Sequence, residues 1–221
     1  MIDAVLAGAV LALLVGGLGL LARRFAWEPE TARKASHVAV GVAVLPLPWL
    51  FGWQDAPMLA LAVVACAGLV ALRAIPALRK RFGCALHGIA RPSIGEFAFV
   101  AGVALAFVLT HHDIAAYVAA ILTLTFGDAA AALVGRRFGS HRFVVGRARK
   151  SYEGSFAFFA VAVVVAAIAG SFVPGALGFA AVAAFALATT LAEAFAGDGL
   201  DNAAIPLAGL LALRCFSGVM P

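Results

Sequence analysis

Residues 114–134 read IAAYVAAILTLTFGDAAAALV, an apolar stretch with a single charged residue, Asp128. A helix that crosses the hydrocarbon core of a membrane needs about 20 mostly apolar residues. The stretch therefore predicts a transmembrane helix. A carboxylate inside such a helix is costly and usually marks a polar functional site. The same segment thus indicates both a fold class and a place to look for function.

The remainder of the 221-residue chain has the same apolar character. Hydrophobic residues make up 64% of it, charged residues make up 12%, and the mean hydropathy is +1.05. Soluble globular proteins have roughly 45–50% apolar and about 25% charged residues, so this chain has too little charge to cover a soluble surface. The composition excludes a soluble enzyme, a disordered chain and a nucleic-acid-binding domain. We expect a single all-α, polytopic membrane domain over residues 1–221.

Apolar segments of suitable length predict about eight transmembrane helices. They are rich in alanine, glycine and valine, which lets helices approach closely in lipid. The run from Ile2 to Leu21 has no basic residue before it, so we expect a retained first span and not a cleaved signal peptide. Gly197, Gly199 and Pro206 interrupt the last two segments, where an early break is expected. The predicted spans are residues 2–22, 36–52, 57–75, 93–110, 114–134, 155–173, 175–195 and 203–219.

The basic residues predict how the spans are oriented. All of them except Arg214 fall in or beside the first, third and fifth connections between spans. Because Lys and Arg are enriched in cytoplasmic loops, we expect these connections in the cytoplasm, both termini outside, and the protein in the cell (inner) membrane. The net charge of +5 then reflects topology and contacts with anionic lipid or phosphate. The residues are Arg23, Arg24, Arg33, Lys34, Arg73, Arg79, Lys80, Arg81, Arg91, Arg136, Arg137, Arg142, Arg147, Arg149 and Lys150.

The acidic residues carry a separate signal, because Asp and Glu contribute little to topology. Glu96, Asp128 and Glu193 lie within or at the ends of spans, and Asp198 and Asp201 lie in the seventh connection. All five are toward the predicted cytoplasmic side, where most of the basic residues are. Mg²⁺ prefers a few carboxylates together with phosphate oxygens and water, and Arg and Lys neutralise phosphate. The pattern predicts a site for a metal-bound polyphosphate.

A structural alternative remains open for these acids. Asp128 could pair only with Arg136 or Arg137 and seal the helix bundle. No G-x-x-x-x-G-K-[ST] loop, no G-x-G-x-x-G after a strand and no G-x-S-x-G is present, so a soluble nucleotide fold and an esterase have no support. His37 stands at the start of the second predicted span, where a histidine is more often a hydrogen-bonded structural residue than a catalytic one.

Two central blocks of the chain are recognisable, GDAAAALVGRRFG at residues 127–139 and KSYEGS at residues 150–155. They resemble the polyprenol kinase family of membrane enzymes, which includes dolichol kinase, phytol kinase and CTP-dependent diacylglycerol kinase. The resemblance extends over about residues 33–207. Three further segments fit the family in the same order: RKASH at 33–37, RPSIGE at 91–96, and Glu193 followed by Asp201, Asn202 and Pro206.

The resemblance implies transfer of the γ-phosphoryl group of a nucleotide, commonly CTP, to the hydroxyl of an isoprenoid alcohol or diacylglycerol, with Mg²⁺ as cofactor. It implies Asp128 as the leading metal ligand, and Glu153 and Asp201 as candidates for a second ligand or for the base. Glycines would let the backbone approach the nucleotide closely. The residues expected to bind nucleotide or phosphate are Arg33, Lys34, Gly127, Gly135, Arg136, Gly139, Lys150, Ser151 and Gly154, and further candidates are His37, Glu96, Glu193 and Asn202.

Two other functions compete with a lipid-alcohol kinase. Phosphatidate cytidylyltransferases share the central blocks, but they end in an H-D-R-x-D-S-like run that carries metal ligands. Residues 197–202 here read GDGLDN, with no His and no Arg. A transporter would need a polar path across the membrane midplane, whereas the ionisable residues of this chain gather on one side. We therefore expect the kinase, acting at the cytoplasmic face where a soluble nucleotide and a lipid alcohol can meet.

Overall fold

The computed structural model describes residues 2–78, 94–172 and 177–217. Over these ranges it is a helical bundle with one β-hairpin. Four of the described helices are long and apolar enough to cross a membrane, and two shorter helices are also apolar. The predicted all-α, polytopic membrane fold is confirmed. The elements are α1 (Ile2–Arg24), α2 (Pro29–Ala43), α3 (Leu47–Phe51), α4 (Asp55–Ala74), α5 (Gly95–Thr110), α6 (Ile114–Phe138), β1 (Arg142–Val145), β2 (Ala148–Ser151), α7 (Tyr152–Ser171), α8 (Phe179–Phe195) and α9 (Asp201–Ser217).

Each predicted span except one corresponds to a single helix whose described ends lie within a few residues of the prediction. The basic residues Arg79, Lys80, Arg81 and Arg91 of the third connection lie outside the described residues. So do parts of the spans predicted at 93–110, 155–173, 175–195 and 203–219. The agreement follows from the physical basis of the prediction, since a membrane span is defined by the length of an apolar segment.

The span predicted at residues 36–52 is wrong as a single helix. The chain forms α2, then a turn, then the short helix α3. Pro46 and Pro48 interrupt the segment, because proline lacks the N–H that would continue the helical hydrogen bonds. At the other end, α2 begins earlier than predicted, at Pro29, where proline suits the first turn of a helix. This early start places Arg33 and Lys34 on a helix.

The early break expected near Pro206 does not occur, since α9 runs through this proline. Pro206 offers no N–H to the carbonyl group of Asn202, four residues before it. That carbonyl oxygen instead lies against Gly102 of α5, where a Cβ atom would overlap it. The neighbouring helix thus covers the carbonyl group that proline leaves without an intrahelical partner.

The connections gather at two opposite ends of the bundle. At one end, Arg136 of α6 binds Glu28 before α2 at 2.8 Å, and Asn202 of α9 donates to the Gly95 carbonyl oxygen of α5 at 2.8 Å. At the other end, Arg214 donates to the carbonyl oxygen of Leu109 at 2.8 Å. The described parts of the odd connections therefore lie together, as the alternation of spans predicts.

The β-hairpin was not anticipated from the sequence. Its strands pair antiparallel, with Arg142 opposite Ser151 and Val145 opposite Ala148. Gly146, with a φ of +58°, starts the two-residue turn in a backbone conformation that favours glycine. The hairpin turns the basic connection between α6 and α7 into an ordered element at the end of the bundle where the odd connections meet.

Candidate active site

A cavity of about 420 Å³ lies at the end of the bundle where the odd connections meet. It is walled by α2, α6, the β-hairpin, the start of α7, the end of α8 and the start of α9. Its lining combines cations and carboxylates from segments far apart in sequence, and the cations are in excess. The charged lining residues are Glu30, Arg33, Lys34, Asp128, Arg136, Arg142, Arg149, Lys150, Glu193 and Asp201.

Asp128 lies where a π-helical turn in α6, Thr123–Gly127, returns to α-helix. Such turns are rare and frequently occur at functional sites. Nζ of Lys34 lies 2.5 Å from Oδ2 of Asp128 and 3.4 Å from its main-chain oxygen. Nε2 of His37 lies 3.5 Å from the same carboxylate oxygen. All three side chains are largely buried, so the Asp128 carboxylate is held in a buried polar contact between α2 and α6.

The structural alternative, in which Asp128 pairs with Arg136 or Arg137, is not what the structure shows. Arg136 binds Glu28 in an exposed ion pair, and the guanidinium of Arg137 lies 5.5 Å from the ring centre of Phe138. Asp128 instead receives its counter-charge from a different helix. Arg136 nevertheless lines the cavity, as predicted for a phosphate-binding residue.

His37 supports the π-helical turn. A carbonyl oxygen only accepts, so Nε2 carries the proton and donates it to Leu124 O at 3.2 Å. The ring packs edge-on against Phe99, with ring centres 4.9 Å apart. One turn along α2, a Cβ atom at Gly41 would overlap the side chain of Thr125. His37 and Gly41 therefore fit α2 closely against the turn that presents Asp128.

Lys150 forms the second charged centre of the cavity. Its Nζ lies 2.9 Å from Oε1 of Glu193, donates to the main-chain oxygen of Glu193, and lies 3.4 Å from Oδ2 of Asp201. The other carboxylate oxygen of Glu193 accepts a hydrogen bond from Ser155 at 3.1 Å. A buried charge is tolerated when it is paired and hydrogen-bonded. Lys150 thus connects the hairpin to the end of α8 and the start of α9.

Asp201 has the weakest polar contacts among the three innermost carboxylates of the described cavity. One of its oxygens accepts from the main-chain N–H of Asn202 at 3.1 Å. The other faces Lys150 at 3.4 Å, which is longer than an ordinary charge-assisted hydrogen bond. Asp201 therefore has acceptor capacity for a metal or a proton. Asn202 itself has a positioning role, because its side chain donates to the Gly95 carbonyl oxygen and fastens the start of α9 to α5.

Six of the predicted site residues do not line the cavity: His37, Glu96, Gly127, Gly139, Glu153 and Asn202. The Glu153 carboxylate accepts from Ser140 Oγ at 2.5 Å and from the main-chain N–H of His141 at 3.1 Å, and it also contacts the His141 ring. It thereby closes the base of the hairpin. Glu96 lies 2.6 Å from Arg73 and joins the end of α4 to the start of α5.

The predicted glycines pack against other parts of the protein. Ser151 begins α7 by accepting from the Gly154 N–H at 3.1 Å, and the glycines fit around this serine and between α6 and α7. At each predicted glycine the position of a Cβ atom is occupied by protein atoms, and Gly135 and Gly154 also line the cavity. At Gly127, a Cβ atom would lie 2.8 Å from Phe158. At Gly135 and Gly139 it would lie 2.9 and 2.8 Å from Ser151 Oγ, and at Gly154 it would lie 2.7 Å from the main-chain oxygen of Ala131.

Sequence reasoning did not assign a site role to four polar residues that line the cavity: Glu30, Arg142, Arg149 and Ser155. Arg142 and Arg149 entered it only as members of the basic fifth connection near the predicted polyphosphate site, because the hairpin that carries them was not predicted. The sequence did contain a signal for the hairpin. Gly146 follows the β-branched pair Val144 and Val145 and precedes a second short, mostly polar segment, residues 147–151.

The donor set can be tested against Mg²⁺. Among residues 2–78, 94–172 and 177–217, no three His, Cys, Asp or Glu side chains form a group that could hold a metal ion. Asp128 and Asp201 both line the cavity, beside several cations. Mg²⁺ bound with a nucleotide typically takes one or two carboxylates and completes its coordination with phosphate oxygens and water. The residues therefore fit a Mg²⁺ ion that is bound together with a polyphosphate.

Comparison with known proteins gives one informative similarity. Phytol kinase of Synechocystis sp. is 32% identical to this chain over 200 residues, which cover 86% of this chain and 82% of that protein. An alignment of that extent necessarily includes α4, α5, α6, the hairpin and α7. A scan against models of protein families finds no match. No solved structure is significantly similar.

Proposed function

The chain belongs to the polyprenol kinase family, whose members are membrane enzymes that phosphorylate lipid alcohols, and we propose that it transfers the γ-phosphoryl group of CTP to an isoprenoid alcohol. The observation that carries the proposal is the cavity in which Lys34, Asp128, Lys150 and Asp201 meet at one end of an apolar bundle. The relative's name makes phytol the first acceptor to examine, and diacylglycerol the second class.

Phosphoryl transfer requires little covalent chemistry from a protein. It requires that the donor and acceptor are positioned and that the charge of a loose transition state is neutralised. Arg33, Lys34, Arg142 and Arg149 line the cavity and supply that positive charge to the phosphates. Asp128 would hold Mg²⁺, which neutralises charge at the phosphate oxygens when it is bound, and Asp201 would serve either as a second ligand or as the base.

The alcohol must lose its proton as the new O–P bond forms and the bond between the γ-phosphorus and the CDP leaving group breaks. Asp201 is our candidate for accepting it, because its Oδ2 has only a long contact with Lys150. We favour Asp201 over Glu153 because Asp201 lines the cavity, whereas Glu153 binds Ser140 and His141 through Oε1 at the base of the hairpin. If Asp201 is instead the second carboxylate on the metal, the proton passes to solvent at the cavity mouth.

We place the reaction at the cytoplasmic face of the cell membrane. The basic first and fifth connections lie at the cavity end of the bundle, and such connections are typically cytoplasmic. A soluble nucleotide enters this end directly, and a lipid alcohol reaches it from the surrounding bilayer.

A labelled-nucleotide assay tests the proposal. The purified protein would be incubated with CTP labelled at either the α- or the γ-phosphate, in the presence of phytol, longer prenols, diacylglycerol or phosphatidate. We expect label from the γ-phosphate in a phosphorylated alcohol. Label from the α-phosphate in a lipid would instead establish a cytidylyltransferase. Replacing CTP with ATP or UTP would show which nucleobase the protein prefers in the donor nucleotide.

A further inference from the structure

The two lysines of the cavity are held differently. The described polar contacts of Lys34 are both with Asp128, through its carboxylate and its main-chain oxygen. Lys150 contacts two acceptors on Glu193 and one on Asp201. Lys34 therefore depends on a single partner residue, Asp128, which is also the leading candidate for a metal ligand. Lys150 is anchored by a glutamate whose second oxygen is bound to Ser155.

The Lys34 contact stands in the way of a metal ion at Asp128. The ammonium nitrogen lies 2.5 Å from Oδ2, so a divalent cation that approaches this oxygen meets a like charge at very short range. Lys34 cannot simply withdraw, because its side chain is largely buried and a buried charge needs a counter-charge. A phosphate group in the cavity would supply that counter-charge, and the flexible four-carbon stem of lysine allows its ammonium to change partner.

We propose that Lys34 is an exchangeable counter-ion, which leaves the Asp128 carboxylate for a phosphate oxygen when a metal-bound polyphosphate enters the cavity. Divalent cation and polyphosphate then bind cooperatively, and the protein has low affinity for the metal alone. Because coupling between two ligands is reciprocal, the metal raises the affinity for polyphosphate by the same factor. The inference rests on the proposed function in that the polyphosphate is that of the nucleotide donor.

Arg33 provides a matched control. It neighbours Lys34 on α2 and lines the same cavity, but it binds Glu30, with contacts of 2.7 and 3.0 Å. Arg33→Gln and Lys34→Gln therefore remove the same charge from the same cavity. Only Lys34→Gln removes a cation from Asp128.

Metal binding can be measured directly on the full chain in detergent by equilibrium dialysis, with Mn²⁺ as the probe and the protein-bound ion counted against the free Mn²⁺ and the Mn²⁺–triphosphate complex of the protein-free compartment. Inorganic triphosphate serves as the polyphosphate. In the wild type we expect triphosphate to raise the affinity for Mn²⁺ at least tenfold. Lys34→Gln should bind Mn²⁺ alone at least tenfold more tightly than the wild type, with most of the coupling lost. Lys34→Arg, which keeps the charge, should retain weak binding of the metal alone.

Three results would overturn the inference. The first is a wild-type affinity for Mn²⁺ that triphosphate does not change. The others are an equal increase in the affinity for Mn²⁺ alone in Lys34→Gln and Arg33→Gln, and no such increase in a folded Lys34→Gln. The first of these needs no variant to fold. Coupling that depends on Lys34 in a protein that phosphorylates no lipid alcohol would support the inference and refute the proposed function. Phosphoryl transfer without such coupling would do the reverse.

Discussion

Nζ of Lys150 lies 2.9 Å from Oε1 of Glu193, and this ion pair joins the β-hairpin to the last turn of α8. Both side chains are almost fully buried, at 9% and 7% exposure. The exposed pair between Arg136 and Glu28, at 49% and 58% exposure, has a similar length of 2.8 Å. The two pairs differ mainly in burial, which makes them a natural comparison of what an ion pair contributes in this protein.

Lys150→Met should lower the free energy of unfolding by about 3–5 kcal/mol, because it leaves the Glu193 carboxylate buried without a counter-charge. Arg136→Gln should change it by about 0–1 kcal/mol, since exposed pairs contribute little. The double variant Lys150→Met with Glu193→Gln should recover part of the loss. Denaturant unfolding in detergent measures all three. Equal losses in Lys150→Met and Arg136→Gln would contradict the burial of the Lys150 pair.

Asp128→Asn should reduce turnover by about 10²–10³, the typical loss when one electrostatic contact to a transition state is removed. The variant should also lose stability, because it leaves the largely buried Lys34 ammonium without its carboxylate counter-charge, so turnover must be expressed per folded molecule. Turnover and thermal melting would be measured together over a range of Mg²⁺ concentrations. A variant that melts early but keeps near-normal turnover per folded molecule would end the ligand hypothesis.

Asp201→Asn and Glu153→Gln distinguish the roles of the two remaining candidate acidic residues. Asp201 lines the cavity, whereas Glu153 holds Ser140 and His141 at the base of the hairpin. We expect Asp201→Asn to lower turnover by about 10²-fold or more, with little change in melting temperature. Glu153→Gln should act first on stability, because it weakens the contacts with Ser140 and His141 that close the base of the hairpin. The opposite pattern in kinetic and melting measurements would return the catalytic role to Glu153.

Gly102→Ala should destabilise the packing of α5 against α9, because the new Cβ atom would overlap the carbonyl oxygen of Asn202. Overpacking of this kind costs about 1–3 kcal/mol. Gly68 in α4 is the control, since a Cβ atom there meets no other atom within 4 Å. Gly68→Ala should be neutral or stabilising by up to about 1 kcal/mol, as expected for a helix interior. Equal melting temperatures for the two variants would contradict the described helix contact.

The predicted orientation can be tested by cysteine labelling of intact cells after replacement of Cys66, Cys84 and Cys215. Val144 on the hairpin and Gln54 before α4 are both exposed, and they belong to connections at opposite ends of the bundle. An impermeant thiol reagent should label Gln54→Cys in intact cells, and Val144→Cys only after the membrane is opened. Labelling of Val144→Cys alone would invert the topology.

The sequence by itself determined the class of fold and most of the spans, because an apolar length is a local property that needs no knowledge of neighbouring helices. It also identified Asp128, since an acid in the apolar stretch 114–134 is conspicuous whatever surrounds it. The span predicted at residues 36–52 forms two helices because of Pro46 and Pro48, and this cause is also local in the sequence. The hairpin was missed because its two four-residue strands, of mixed polarity, are too short to carry a periodic signal.

Only the tertiary structure decided which charges meet. Arg136 lies about 12 Å from Asp128 along the axis of the same helix, at 1.5 Å per residue, which is too far for a direct pair. Lys34, 94 residues away in the chain, reaches it at 2.5 Å because α2 packs against the π-helical turn of α6. Lys150 likewise meets Glu193 and not the nearby Glu153, because the chain turns from strand to helix between them. Contacts of this kind depend on how helices pack, and no single segment of sequence contains that information.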